Sequence, residues 1–161
     1  MGLEIERKFL VTSDGWRALA RESAALKQGY LSSNAKATVR VRTKDDRQAV
    51  LTLKGATDGL TRAEYEYSIP IEDARELLAM AEPHVIEKRR YLVPFGGLVW
   101  EVDEFSGYHA GLVLAEVELE RDDQVVVLPD WVGEDVSSLD QYNNASLARS
   151  GVASGDDFQP A

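Results

Sequence analysis

The sequence predicts a mainly β protein, an eight-stranded antiparallel closed barrel with a few peripheral helices, and three observations predict it. Eight short runs alternate apolar and polar residues with a period of two. Turn chemistry separates them, at Ser33-Asn34, Asp45-Asp46, Gly55 to Gly59, Gly96-Gly97 and Asp122-Asp123. In strand after strand, one face repeats ionisable side chains, the pattern of a sheet curled around a charged lumen with its apolar faces turned outward under helices and loops.

The first run, Leu3–Val11, sets Glu4, Glu6 and Lys8 on one face and Leu3, Ile5 and Phe9 on the other. A short helix after Ser13 is expected to bury Trp16, Leu19 and Ala20. Lys27–Ser33 is the second strand. Ala37–Lys44 places Arg40 and Arg42 opposite Val39 and Val41, and Gln48–Lys54 places Thr52 and Lys54 opposite Leu51 and Leu53. Arg62–Ile69 carries Arg62, Glu64 and Glu66 opposite Tyr65 and Tyr67. After Pro70, the residues Ala74, Leu77, Leu78 and Ala81 form a helical stripe that Pro83 should stop.

Ile86–Val93 brings Lys88 and Arg90 to one face, although Glu87 and Arg89 leave its other side mixed. Leu98–Phe105 sets Glu101 and Asp103 against Trp100 and Val102, and Leu112–Glu120 sets Glu116 and Glu118 against Val117 and Leu119. Val125–Leu128 is a shorter ninth strand candidate. Trp131 follows Pro129 at an expected helix start, and a last helix should run from near Asn144 to Gly151, a natural C′ residue. Residues 1–150 read as one domain and 151–161 as a small, polar tail.

The chain has 161 residues and 17.8 kDa, room for one domain with a proper core. Its 18 Lys+Arg against 28 Asp+Glu give a net charge of −10, which argues against non-specific nucleic-acid binding but permits a local cationic pocket. With no cysteine, disulfides, thiolate metal sites and cysteine nucleophiles are excluded. Charged residues arrive at Glu4, before any signal-like apolar stretch, and no segment reaches the roughly 20 apolar residues of a membrane helix. The expected address is the cytoplasm, with no membrane partner.

Any one of these strands, taken alone, reads as a solvated face whose exposed ion pairs contribute about 0–1 kcal/mol each. The ensemble reads differently, because the signs are segregated by strand, and segregation builds a cation site beside an anion site. The proposed lumen holds eight carboxylates (Glu4, Glu6, Glu64, Glu66, Glu101, Asp103, Glu116, Glu118) against seven cations (Lys8, Arg40, Arg42, Lys54, Arg62, Lys88, Arg90). Two divalent cations and a triphosphate carrying about four to five negative charges would bring it near neutrality. Arg and Lys suit phosphate oxygens. Carboxylates without His or Cys favour Mg²⁺ or Mn²⁺. His84 and His109 belong to no metal-spaced pair and read as surface or loop residues. No Walker loop, dinucleotide fingerprint or nucleophile elbow occurs.

The opening Glu4-Ile5-Glu6-Arg7-Lys8 resembles the ExExK signature of the CYTH superfamily, the triphosphate tunnel metalloenzymes. Lys27-Gln28-Gly29-Tyr30-Leu31, Arg40-Val41-Arg42, Leu51-Thr52-Leu53-Lys54 and Arg62-Ala63-Glu64-Tyr65-Glu66 resemble its successive tunnel strands. So do Glu87-Lys88-Arg89-Arg90-Tyr91, Glu101-Val102-Asp103 and Glu116-Val117-Glu118. The order holds to about residue 149, and the chain looks most like the short bacterial inorganic triphosphatases. One departure is Asn143 to Ser146, where some relatives carry lysines.

The resemblance implies an eight-stranded triphosphate tunnel and metal-assisted hydrolysis of a terminal phosphoanhydride. Arg40, Arg42, Lys54, Lys88, Arg90 and Arg62 would hold phosphates. Glu4, Glu6, Asp103, Glu116 and Glu118, with Glu64 and Glu66 close by, would place two Mg²⁺ or Mn²⁺ ions. Lys8 would form a dyad with Tyr30 as general base, or serve as a plain phosphate-binding charge. Two other activities fit the same tunnel, a class IV-type adenylate cyclase and a thiamine triphosphatase. A non-catalytic polyphosphate-binding module is the reading from a different class. Small members of the family often look like dimers, which admits a homodimer, although no interface is legible in the sequence.

Overall fold

The computed structural model describes residues 2–150. Nine strands run in chain order: β1 (Gly2–Val11), β2 (Glu22–Ser33), β3 (Ala37–Lys44), β4 (Gln48–Gly55), β5 (Thr61–Ile69), β6 (Glu82–Phe95), β7 (Leu98–Ser106), β8 (Val113–Glu118) and β9 (Val132–Asp135). Two helices accompany them, α1 (Ile71–Ala79) and α2 (Asn144–Ser150). The strands lie antiparallel in the order β5-β4-β3-β2-β6-β7-β8-β1, and β5 pairs back onto β1 to close an eight-stranded barrel. Gly2–Ile5 of β1 pair with β5, while its later residues take β9.

Six strands match the alternating runs to within a residue or two, because a period-two pattern and a turn signal agree there. The β6–β7 hairpin turns on Gly96 and Gly97, both with positive φ (60° and 78°), the conformation that a two-residue connection requires. β2 starts five residues before the expected Lys27, since Glu22–Leu26 pair with Lys88–Leu92 of β6. Pro83 does not merely end the helix; it lies inside β6, which begins at Glu82.

Other expectations are corrected. Val125–Leu128 is not a strand: nothing pairs with it, and Val125, Val127 and Leu128 are all exposed. Trp131 starts no helix but sits in the turn before β9, buried. The segment after Ser13 is a 3₁₀ turn over Gly15–Leu19 that buries Trp16 and leaves Leu19 exposed. His109 is fully buried, its Nε2 2.7 Å from the Leu147 carbonyl oxygen, and His84 is stacked on Tyr108. Gly151 and the tail to 161 lie outside the described residues.

Three apolar groups hold the barrel's shape. Outside the β1, β6, β7 and β8 wall, Phe9, Trp100, Val102 and Val117 pack against Trp16 and Trp131. Beneath α1, Val41, Ala49 and Ala74 pack with Leu77 and Leu78. Gly29 permits this approach, since a Cβ there would stand 2.6 Å from the Ala81 Cβ. In the third group, Tyr30, Ile86, Phe105 and Leu114 meet Leu112, Tyr142, Leu147 and Ala148, so the C-terminal segment packs against one end of the charged rows.

Candidate functional site

Register decides which inward side chains meet. Across β1 and β8, Lys8 lies opposite Glu116 and Glu6 opposite Glu118; across β6 and β7, Arg90 lies opposite Asp103. β3 sets Arg40 opposite Thr52 on β4 and Arg42 opposite Gln28 on β2. Most of the expected cations and carboxylates thereby neutralise one another. Lys54 Nζ lies 2.9 Å from Glu4 and 3.5 Å from Glu64. Lys8 Nζ lies 3.5 Å from Glu116 and donates to the Tyr142 carbonyl at 3.1 Å. Lys88 Nζ is 2.6 Å from Asp103, whose oxygens also accept from Arg90, and Arg90 reaches Glu101 at 3.3 Å.

Two cations of β3 are different. Arg40, buried, donates from Nη2 to Thr52 Oγ1 at 3.2 Å and leaves its Nε with no partner. Arg42 donates from Nε to Gln28 Oε1 at 3.1 Å. Both partners are neutral, so neither guanidinium charge is cancelled locally. Arg62 donates to the Gly55 carbonyl at 3.0 Å.

Tyr30 is buried, with its hydroxyl 3.5 Å from Gln28 Nε2. Among the described contacts no hydrogen bond joins Tyr30 to Lys8. Glu66 is exposed and reached by the Thr52 hydroxyl at 3.4 Å; Glu118 is exposed at the end of β8.

These groups surround two openings. The first holds a cavity of about 500 Å³ lined by Lys8, Tyr30, Arg40, Lys54 and Arg62 together with Asn143 to Ser146. A neighbouring space of about 340 Å³ touches Glu4, Glu6 and Asp140. At the other, a cavity of about 330 Å³ meets Arg42, Lys44, Arg90 and Glu101 against Leu26, Val50 and Leu92.

The electrostatics follow from burial and pairing. Burial opposes the charge on Glu116 and on Asp103, yet Lys8 and Arg90 hold Glu116 well below the usual carboxylate range, and Arg90 and Lys88 hold Asp103 low. Burial pushes Lys88 down to about 8 despite Asp103. It works the same way on Lys8, but there Glu116 and Glu6 prevail and raise the ammonium's pKa. Arg42 is lowered to about 10 by burial and then by Arg40 and Arg90. Glu6 is raised well above the usual range by burial, then by Glu116 and Glu4.

Among the described residues, no three His, Cys, Asp or Glu side chains already converge closely enough to hold a metal between them. The donor set still suits a hard cation. Among the described residues Glu6 makes no ion pair, and Glu4 and Glu116 repel its charge, so a divalent ion beside it would relieve that repulsion. Mg²⁺ typically takes one or two carboxylates and completes its shell with water and phosphate oxygens.

Gln28 and Thr52, both fully buried, and the Tyr142 carbonyl were not expected as site groups. The first two had a signal in the inward period of two, Gln28 two residues from Tyr30 and Thr52 two from Lys54. Tyr142 had none, because a backbone oxygen has no sequence signature.

Comparison with known proteins agrees with this architecture. The family model described as CYTH domain matches residues 2–150. An inorganic triphosphatase of Acetivibrio thermocellus is 44% identical over 150 residues, covering 92% of this chain and 95% of that protein. One from Nitrosomonas europaea is 36% identical over 153 residues, covering 91% and 97%. The crystal structure of the inorganic triphosphatase NE1496 superposes with a TM-score of 0.68 at 33% identity, over 95% of this chain and 99% of that one. A Hippeastrum protein, titled a putative adenylyl cyclase with a dominant triphosphatase activity, shares the fold at 16% identity and a TM-score of 0.58, over 73% of this chain and 80% of that one. No helix among the described residues is long and apolar enough to cross a membrane. The chain belongs to the CYTH domain family.

Proposed function

We propose that this chain is an inorganic triphosphatase that hydrolyses tripolyphosphate to pyrophosphate and phosphate inside the barrel. The observation that carries the reading is the imbalance at the centre of the site. Arg40 and Arg42 keep their charge beside neutral partners, while Glu6 has no ion-pair partner among the described residues and faces Glu4 and Glu116. A polyanion satisfies the first and a divalent cation the second, and a metal–triphosphate complex brings both. The names and coverage of the relatives support the same substrate.

Arg40, Arg42 and Arg62 would make the first phosphate contacts, with Lys8, Lys54, Lys88 and Arg90 joining as their carboxylate partners turn to metal. Glu6, with Glu4 and Glu116, would hold that metal, and Asp103, Glu64, Glu66 and Glu118 would serve around it. A bound divalent cation supplies charge neutralisation on the phosphoryl oxygens and a more acidic water. The water oxygen bonds to the terminal phosphorus, the bridging P–O bond breaks, pyrophosphate leaves with the electron pair, and the water's proton passes to a phosphate oxygen or to solvent. Without metal, Lys8 is an ammonium ion beside Glu116 and the Tyr142 carbonyl, placed to meet a phosphate oxygen. Tyr30 lines the same cavity with its hydroxyl.

The test is phosphate release from tripolyphosphate, ATP and thiamine triphosphate in parallel, with Mg²⁺, with Mn²⁺ and with neither. Fast metal-dependent release from tripolyphosphate is expected. Cyclic AMP and pyrophosphate from ATP would instead assign a cyclase, and binding without any product would assign a polyphosphate-binding module.

A further inference from the structure

One buried polar side chain in the tunnel has no part in the reaction above. Gln28 faces inward on β2 with none of its surface exposed. Its Cα lies directly opposite that of Arg42 on β3. Arg42 Nε donates to Gln28 Oε1 at 3.1 Å, and Gln28 Nε2 donates to the Tyr30 hydroxyl at 3.5 Å. The chemistry fixes this orientation: a guanidinium only donates, so it must take the carbonyl end and leave the NH₂ for the phenol oxygen. The Tyr30 proton is then available to another acceptor. Gln28 thus joins two openings, since Tyr30 lines one and Arg42 the other.

Arg90 shows what a charged partner would do. It spends its fork on Asp103, at 2.7 and 2.8 Å, and reaches Glu101 as well. Gln28 engages Arg42 through Nε alone, and an amide oxygen carries no charge to cancel. Among the described residues, four of the five guanidinium N–H groups of Arg42 meet no hydrogen-bond acceptor. We propose that Gln28 is a positioning residue that aims Arg42 into the tunnel while leaving it fully charged for the polyphosphate. This rests on the triphosphatase reading for its substrate. Glutamate at the same position would have the same shape and would draw Arg42 into a closed ion pair, as Asp103 does with Arg90.

The experiment uses the full chain with Gln28→Met and Gln28→Glu, each alone and combined with Arg42→Met. KM and kcat are measured for tripolyphosphate with Mg²⁺, and tripolyphosphate affinity is measured by calorimetry without metal. Gln28→Met should weaken affinity and raise KM about tenfold, Gln28→Glu should do so further, and kcat should stay within about threefold. On Arg42→Met, Gln28→Met should not move affinity by more than about twofold, because the residue it acts through is gone, and Gln28→Glu should cost less than on the wild type, leaving only its own charge's repulsion of the polyanion.

Melting temperatures identify a variant that fails to fold, and Gln28→Glu, which keeps the side chain's shape, then decides alone. Full-sized losses on Arg42→Met, or wild-type affinity in Gln28→Glu, would overturn the assignment. Wild-type protein that binds tripolyphosphate in a Gln28-dependent way without hydrolysing it would overturn the triphosphatase reading and leave Gln28's role standing. Normal turnover without Gln28 dependence would do the reverse.

Discussion

Arg90 clasps Asp103 through two hydrogen bonds, Nε to Oδ1 at 2.7 Å and Nη2 to Oδ2 at 2.8 Å. Lys88 stands on the same carboxylate at 2.6 Å, so one buried acid answers a buried lysine and a half-buried arginine. Without metal, Asp103 is therefore a counter-ion. Asp103→Ala should destabilise the protein by about 3–5 kcal/mol, the usual cost of leaving a buried charge unpaired. Added tripolyphosphate should restore part of the lost melting temperature by taking the acid's place. Thermal denaturation with and without the anion measures both, and an unchanged melting temperature would remove Asp103 from this role.

Glu6 links metal binding to pH. Burial, Glu116 and Glu4 raise its folded-state pKa well above the 4.5 of the ordinary carboxyl. Between those two values the folded state holds more protons than the unfolded chain, so metal-free stability falls as pH rises through that window. Mg²⁺ titrated in the same window should displace a proton, and Glu6→Gln should remove that release while stabilising the metal-free protein at alkaline pH. Calorimetry in two buffers of different ionisation enthalpy counts the protons; identical heats would refute the coupling.

Lys8 is held as an ammonium ion by Glu116 and the Tyr142 carbonyl, against the opposing effect of burial. Lys8→Met should raise KM for tripolyphosphate by about tenfold or more, corresponding to roughly 1.4 kcal/mol of lost contact. Lys8→Arg should recover most of the affinity and keep the alkaline limb of the pH–rate profile. Loss of that limb at unchanged KM would make Lys8 a proton acceptor instead.

Gly29 lets the end of α1 and the turn after it pack closely on β2. A Cβ there meets Ala81 Cβ at 2.6 Å and Leu78 Cδ2 at 3.1 Å, so Gly29→Ala should cost about 1–3 kcal/mol through overpacking. Urea denaturation measures it. Ala81→Gly in the same chain should recover part of the loss, and failure to do so would place the strain elsewhere.

The barrel was legible where burial on one face imposes a strict period of two, as with Glu4, Glu6 and Lys8 or Arg40 and Arg42. It was not legible at Glu22–Leu26, which lacks that alternation and is a strand because β6 lies beside it. Val125–Leu128 shows the converse, β-favouring residues with no strand to pair with, left exposed. His109 lies in the expected turn, but its burial was not legible because its acceptor, the Leu147 carbonyl, lies far along the chain.

The sequence by itself determined which face of most strands is charged, with which sign, and hence that the lumen sets cationic and anionic side chains together. Only the tertiary structure decided which charges cancel. Arg40, Arg42 and Arg90 are chemically alike, and spacing cannot rank them. Register sets Arg90 against Asp103 but Arg42 against Gln28 and Arg40 against Thr52. One guanidinium is therefore ion-paired inside the protein, and two meet only neutral partners. Pairing energy depends on distance and burial, and closure of the barrel sets both.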